Sequence, residues 1–348
     1  GGKIMVATTA PGAVTGGAGL HRASGGKSAF WMAAGVPALV LFSIGGIAAT
    51  VGNPSWIVWM LSVSFGFLQA FIYAEIAGLF PSKSGGASVY GASAWIRYSK
   101  IIAPLSVWCN WLAWTPVLAI GGGLAAGYLL NSFFGADAAI NEWQITLLNL
   151  DFLNQGLTLR INATSIVGTI ILLIVFAIQH RGISAAAKVQ TIIGLAVLIP
   201  LFIVGIVPLI SGDVLASNLV PVVPSSGAWH IEGTTLFLGG VFIAAWSAYA
   251  FETAICYTSE FRNPQHDTVR AIVAAGLVCI AIYTLVPLSF QGVLGVEGIL
   301  QPGVEDGSAI AGVMAGMVGG QSVIASIMVA MLFLALTFAV LLGTLFPL

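Results

Sequence analysis

Apolar residues gather along this chain into long runs separated by short polar connections. Eight runs meet the roughly 20 residues of helix that cross a bilayer: 29–51, 56–80, 101–130, 163–179, 186–211, 234–258, 269–292 and 322–346. The third is long enough to require tilt or projection beyond the membrane, and the fourth is the shortest. Between the second and third, the turn-forming run Ser84-Gly85-Gly86 leads into an alternating segment from Val89 to Tyr98. That segment suits a short helix lying at the membrane surface.

Composition narrows the class. Only 7% of the 348 residues are charged, 58% are hydrophobic, and the mean hydropathy is +1.02. A soluble domain carries about 25% charged residues, so the pattern is that of an all-α polytopic membrane protein. The 43 glycines follow no collagen period, and the apolar content excludes a disordered chain. Cys109, Cys256 and Cys279 all lie in apolar stretches, too few for a disulfide framework, and read as small core residues. The first 28 residues are rich in Gly, Ala, Ser and Thr and lack the apolar centre of a signal peptide.

The connections then sort by charge. Lys3, Arg22 and Lys27 precede the first run; Lys83, Arg97 and Lys100 follow the second; Arg181 and Lys188 follow the fourth; Arg262 and Arg270 follow the sixth. Of the 11 basic residues only Arg160 falls on the opposite side, which instead holds Asp137, Glu142, Asp151, Asp213, Glu232, Glu297, Glu305 and Asp306. Basic loops stay inside, so a cytoplasmic N-terminus and a multi-pass protein of the plasma (inner) membrane are expected.

Three places could carry chemistry. Gly45 and Gly46 sit in the first run, where adjacent glycines weaken a helix. They read either as a break that presents N–H groups to an anion or as a close helix contact through small residues. Glu252 lies well inside the sixth run, in Trp246-Ser247-Ala248-Tyr249-Ala250-Phe251-Glu252-Thr253. An intramembrane carboxylate is costly unless paired or hydrated, so it is either a proton or cation partner or a protonated structural group. Glu75, at the cytoplasmic end of the second run, fits capping or pairing with a loop cation. The four histidines, His21, His180, His230 and His266, are all expected in loops, and no HExxH, P-loop or clustered Cys/His spacing occurs. Those patterns give no support for a zinc protease, an ATP-driven pump or a metal enzyme, and no run carries the repeated arginines of a voltage sensor. The sequon at Asn162 adjoins the fourth run, and such tripeptides arise by chance.

Three segments resemble the amino acid–polyamine–organocation permeases. Ala74-Glu75 through Phe80-Pro81, then Gly85-Gly86 and Tyr90, is similar to A-E-L-x-x-x-F-P-x-x-G-G-x-Y. Phe251-Glu252-Thr253 matches within the sixth run. Glu260-Phe261-Arg262-Asn263-Pro264 with Arg270-Ala271-Ile272 resembles E-x-[KR]-N-P-x-x-x-x-P-R-A-I, with Val269 in place of the second proline. Gly45-Gly46 is a looser match to G-S-G-[IV]-F, with Ile44 and Ala48 departing from it.

The resemblance implies a leucine-transporter-type fold of two inverted five-helix repeats with broken first and sixth helices. It divides the chain into a cytoplasmic segment 1–28, a first repeat 29–211, a loop 212–233, and a partial second repeat 234–348. Twelve spans are usual in that family and eight are found, so an incomplete second repeat is expected. Carried over by position, backbone amides of Gly45 and Gly46 would hold a substrate carboxylate. Carbonyls of Trp246, Ser247 and Tyr249 would hold its amine, with Glu252 and Glu75 in coupling and gating. No cofactor is implied beyond a possible coupling H+ or Na+. No lysine lies in the apolar part of the fifth span, Lys188 being at its edge, and Ser326 or Thr337 are candidate sodium ligands. The implied activity is secondary transport of an amino acid or related organic amine, with lipid as the other partner, no nucleic acid and no enzymatic step. A transporter-like sensor or partner subunit is the alternative.

Overall fold

The apolar runs fold as helices because a backbone in lipid satisfies its polar groups only internally. The computed structural model describes residues 30–31, 40–83, 85–134, 138–153, 155–180, 183–248, 251–305, 310–320, 323 and 327–328. Its helices are α1 (Val40–Val51), α2 (Ser55–Leu79), α3 (Gly86–Trp95), α4 (Ile102–Phe134), α5 (Ala139–Glu142), α6 (Ala163–His180), α7 (Ile183–Ser211), α8 (Ile231–Ala248), α9 (Pro264–Ile299) and α10 (Ile310–Met317). Between α5 and α6 lie two strands, β1 (Gln144–Asn149) and β2 (Thr158–Asn162), paired antiparallel. Short 3₁₀ turns occupy Ala216–Asn218, and a long 3₁₀ segment runs from Phe251 to Glu260.

Four stretches among the described residues are long and apolar enough to cross a membrane: Ser55–Leu79, Ile102–Leu130, Gly194–Ser211 and Pro264–Ile299. Ala163–Ile178 and Ile231–Trp246 are shorter apolar helices. The expected eighth run, 322–346, falls outside the described residues except at 323, 327 and 328.

The core gathers around α9, which packs against α2, α7, α1 and the 3₁₀ segment, while α8 packs against α1 and α2. Trp59 and Tyr283 meet at 5.4 Å between ring centroids in the α2–α9 seam, both fully buried. The Ser289 hydroxyl donates to the Gly205 carbonyl (2.7 Å), tying α9 to α7. Beside the core, α4 packs against α6 and α3. Outward faces such as Phe65, Leu68 and Ile72 of α2 and Ile170, Leu173 and Ile174 of α6 are exposed and apolar, as lipid contact demands.

Three expectations need correction. α1 runs unbroken through Gly45 and Gly46. Cys109 is exposed on α4, not a core residue: in a membrane protein an apolar stretch can face lipid as readily as protein. His180 closes α6 and His266 lies in the first turn of α9, so these two belong to helices.

Candidate functional site

The sixth apolar run changes character partway along. α8 is ordinary α-helix to Ala248, and from Phe251 the chain continues as 3₁₀ helix for ten residues. Runs of 3₁₀ helix beyond three or four residues are uncommon, and within a longer helix they often mark hinges. Upstream of this change α8 is pressed against its neighbours: a Cβ at Gly240 would collide with Val51 of α1, and the Ser62 hydroxyl of α2 donates to the Val241 carbonyl (2.9 Å).

One end of the bundle docks on the 3₁₀ segment. α2 stops at Leu79, and the chain turns through Phe80–Lys83, with Lys83 N–H donating to the Phe80 carbonyl (3.0 Å). Gly85 and Gly86 both adopt positive φ (109° and 65°), a conformation that glycine reaches without strain. There the Gly85 N–H donates to the Cys256 carbonyl (3.1 Å), and a Cβ at Gly86 would lie 2.7 Å from Cys256 Sγ. Phe80 stacks on Tyr90 at 5.8 Å, and the Lys83 ammonium sits 5.2 Å from the Phe80 ring while donating to Ser93 Oγ (2.7 Å). Burial pushes the Tyr90 phenol above its ordinary range. Gln265, in the first turn of α9, donates to the Gly78 carbonyl of α2 (2.9 Å). Phe261 is fully buried, Pro264 opens α9 at a position that suits proline, and Ala271 and Ile272 are buried. The two longest motifs read in the sequence thus meet at one end of the molecule, as packing surfaces around the 3₁₀ segment.

The opposite end is fastened by a buried amide. Gln291 of α9, 1% exposed, accepts from Ser55 Oγ (2.6 Å) and donates to the Asn53 carbonyl and Oδ1 (both 2.7 Å) and to the Asn218 carbonyl (3.2 Å). Gly295 is non-helical (φ 67°), which kinks α9 and frees carbonyls in the turn before it. The Gly292 carbonyl is taken by the Leu215 N–H and the Asn218 side-chain amide, each at 2.9 Å. The connection from α7 to α8 is further stitched to α1, Ser225 donating to the Val51 carbonyl through its N–H (2.9 Å) and to the Thr50 carbonyl through Oγ (3.0 Å). Sequence reading gave no weight to Gln291; a lone uncharged amide near the end of an apolar run was the signal.

The residues singled out in the sequence lie on α1, α2, α8 and the 3₁₀ segment, with Tyr249 outside the described residues. Gly45 is buried and Gly46 exposed, and the Thr50 hydroxyl donates to the Gly46 carbonyl (2.8 Å) within the same helix turn. Their N–H groups lie in continuous α-helix, where the i→i−4 ladder uses them, so neither is an open donor for a carboxylate. Gly45 instead marks a close approach, since a Cβ there would collide with the Glu305 backbone, whereas at Gly46 nothing lies within 4 Å. Gly45→Ala is therefore expected to cost about 1–3 kcal/mol through overpacking, while Gly46→Ala stays within about 1 kcal/mol of the parent; thermal unfolding of the two variants in detergent measures the difference. Trp246 is half-exposed, Ser247 and Glu252 lie on the backbone either side of the change in helix type, and Tyr249 is outside the described residues, as are Ser326 and Thr337. Glu75 is exposed in the last turns of α2, near the docked end.

The described residues form a bundle of apolar helices, four stretches of which are long and apolar enough to cross a membrane. The amino acid permease family matches residues 25–346, and this chain belongs to that family. It is 28% identical over 256 residues to the L-methionine/branched-chain amino acid exporter YjeH of Escherichia coli (strain K12), covering 72% of this chain and 52% of the exporter. The cationic amino acid transporter 9, chloroplastic, of Arabidopsis thaliana is 23% identical over 261 residues, 75% of this chain and 43% of the transporter. The methylthioribose transporter of Bacillus subtilis (strain 168) is 27% identical over 262 residues, 72% of this chain and 50% of that protein. The chain thus spans about half the length of the curated relatives it matches.

Proposed function

We propose that this chain carries the substrate pathway of a secondary transporter that moves amino acids or related organic amines by alternating access. The observation that carries the reading is the passage from α-helix to 3₁₀ helix between Ala248 and Phe251. A change of helix type inside an apolar run loosens the regular hydrogen-bond ladder, and in transporters such places hold substrate and coupling ions. The amine of the substrate would meet backbone carbonyls at Trp246, Ser247 and Tyr249, and Glu252 would couple protonation or a cation to the conformational cycle. The carboxylate is not assigned to Gly45 and Gly46. Relatives named for methionine and branched-chain amino acids, cationic amino acids and methylthioribose support a small polar solute, and the charge-poor spans favour a neutral amino acid. The positive-inside distribution supports a cytoplasmic N-terminus in the plasma (inner) membrane. On this reading the Gly85–Gly86 contact would lie on the inside and Gln291 on the outside, as inner and outer gates.

The test is uptake of radiolabelled amino acids by the full-length protein in proteoliposomes, with and without proton and sodium gradients and with unlabelled amino acid inside. Gradient-driven accumulation means symport, and uptake only against internal amino acid means exchange. Absence of uptake across a broad panel, from folded protein, overturns the reading. Glu252→Gln is expected to lower uptake about tenfold, within the range of coupling energies of about 1–3 kcal/mol, and to flatten its pH profile. Unchanged rate and unchanged profile remove Glu252 from coupling.

A further inference from the structure

Between α5 and α6 the β-hairpin sorts its side chains by polarity. The register pairs Gln144 with Asn162, Ile145 with Ile161, Thr146 with Arg160, Leu148 with Leu159 and Asn149 with Thr158, with a bulge between Thr146 and Leu148. Partners in an antiparallel pair share a face, and neighbours along a strand alternate. Ile145, Leu148, Leu159 and Ile161 therefore form one face, and Gln144, Thr146, Asn149, Thr158, Arg160 and Asn162 form the other. Without the bulge Leu148 would fall on the polar face; the extra residue restores the segregation.

The four apolar residues of that face are 38–54% exposed, and Phe152 and Leu153 at the tip are 79% and 66% exposed. The tip is held by its own hydrogen bonds: Asp151 accepts from the Asn149 amide (2.6 Å) and the Gly156 N–H (2.8 Å), and Leu150 N–H donates to the Leu157 carbonyl (2.8 Å). A two-stranded sheet is marginal in water without a covered face, and an open apolar one invites association.

We infer that the hairpin is a membrane-interface anchor, with its apolar face resting on the acyl–headgroup boundary of the lipid and its polar face toward water. The attachment to α6 points to lipid as the occupant. β2 ends at Asn162 and α6 begins at Ala163 with no linker; Asn162 caps the helix, accepting from Ser165 N–H (2.8 Å) while Asn162 N–H donates to Ser165 Oγ (3.0 Å). The hairpin is thus fixed to the end of an apolar helix. Ile166, Ile170, Leu173 and Ile174 of α6, the helix that directly follows the hairpin, are exposed and apolar, as lipid contact demands. Half-exposed Trp143 at the start of β1, and Arg160 on the polar face hydrogen-bonded to Gln144 (2.8 Å), supply the aromatic ring and cation that favour the interface.

The test uses the full-length protein in phosphatidylcholine nanodiscs, with Cys109, Cys256 and Cys279 replaced by alanine. A single cysteine at Leu148→Cys, Phe152→Cys or Thr158→Cys carries an environment-sensitive fluorophore. Shallow nitroxide-labelled lipid is expected to quench the labels at 148 and 152 several-fold more than aqueous iodide does, with the opposite order at 158. Phe152 lies outside the paired strands, so its variant reads the tip even if the change at 148 disturbs pairing. Iodide quenching at 148 and 152 equal to that at 158 puts the face in water and overturns the inference. Shielding from both quenchers overturns it as well, and assigns the cover to protein, either a second copy or another part of the chain.

Discussion

Gln291→Leu is expected to loosen the end of the bundle at which α7 joins α8, lowering the thermal unfolding midpoint and exposing residues 213–230 to protease. The side chain holds Ser55, the carbonyl and Oδ1 of Asn53 and the Asn218 carbonyl from a position that is 1% exposed. Leucine fills a similar volume but leaves the buried Ser55 hydroxyl without its acceptor and the Asn53 carbonyl without its donor. Each orphaned buried group costs about 1–3 kcal/mol, so a total loss of about 2–6 kcal/mol follows. Ser55→Ala, which removes one donor and leaves the rest of the cluster intact, should lose less. Equal protease resistance in Gln291→Leu and the parent would show that the connection is held by its other bonds, from Ser225 to α1 and from Leu215 to Gly292.

Gly86→Ala is expected to be as damaging at the other end, for two separable reasons. With φ at 65°, alanine would pay about 1–2 kcal/mol for the left-handed conformation. Its Cβ would also sit 2.7 Å from Cys256 Sγ and 3.3 Å from Ile255 Cγ1, an overpacking of about 1–3 kcal/mol. Adding Cys256→Ala removes the tighter contact and leaves the backbone conformation as it was, so the double variant should recover roughly half of the lost stability. The same pair measured in uptake assays reads whether contact between this loop and the 3₁₀ segment governs transport. Full recovery would mean the dihedral is no obstacle, and no recovery would locate the whole cost in the backbone.

Helices were legible because lipid leaves apolar chain few alternatives: the fourth apolar run, 163–179, differs from α6 by one residue, and the second, 56–80, matches α2 shifted by one. The surface segment read from Val89 forms a helix, but from Gly86, since two positive-φ glycines set its start. What escaped was anything decided by a neighbour. Gly45 and Gly46 are indistinguishable in sequence, yet the backbone at Glu305 makes one a close contact and leaves the other open. The hairpin was hidden because its bulge breaks the period-two pattern that identifies a strand, the Leu147-Leu148 pair reading as plain apolar chain. Gln291 carries no charge and belongs to no motif, and only the fold brings Asn53, Ser55 and Asn218 to it. In the sixth run, Glu252 and the family motif gave no sign of the 3₁₀ helix that runs from Phe251 to Glu260.

The segment Phe251–Glu260 also fixes a geometric step size. Ten residues rise about 20 Å as 3₁₀ helix and about 15 Å as α-helix. Rewinding it would draw its ends together by about 5 Å. The lost 20° per residue would turn one end relative to the other by about 200°. Ile255 and Thr258, buried on this segment beside the Gly85–Gly86 turn, would be carried around the axis as on a screw thread. A short translation along the segment's own axis and a change in which side chains meet the loop would, in this stretch of chain, be one and the same movement.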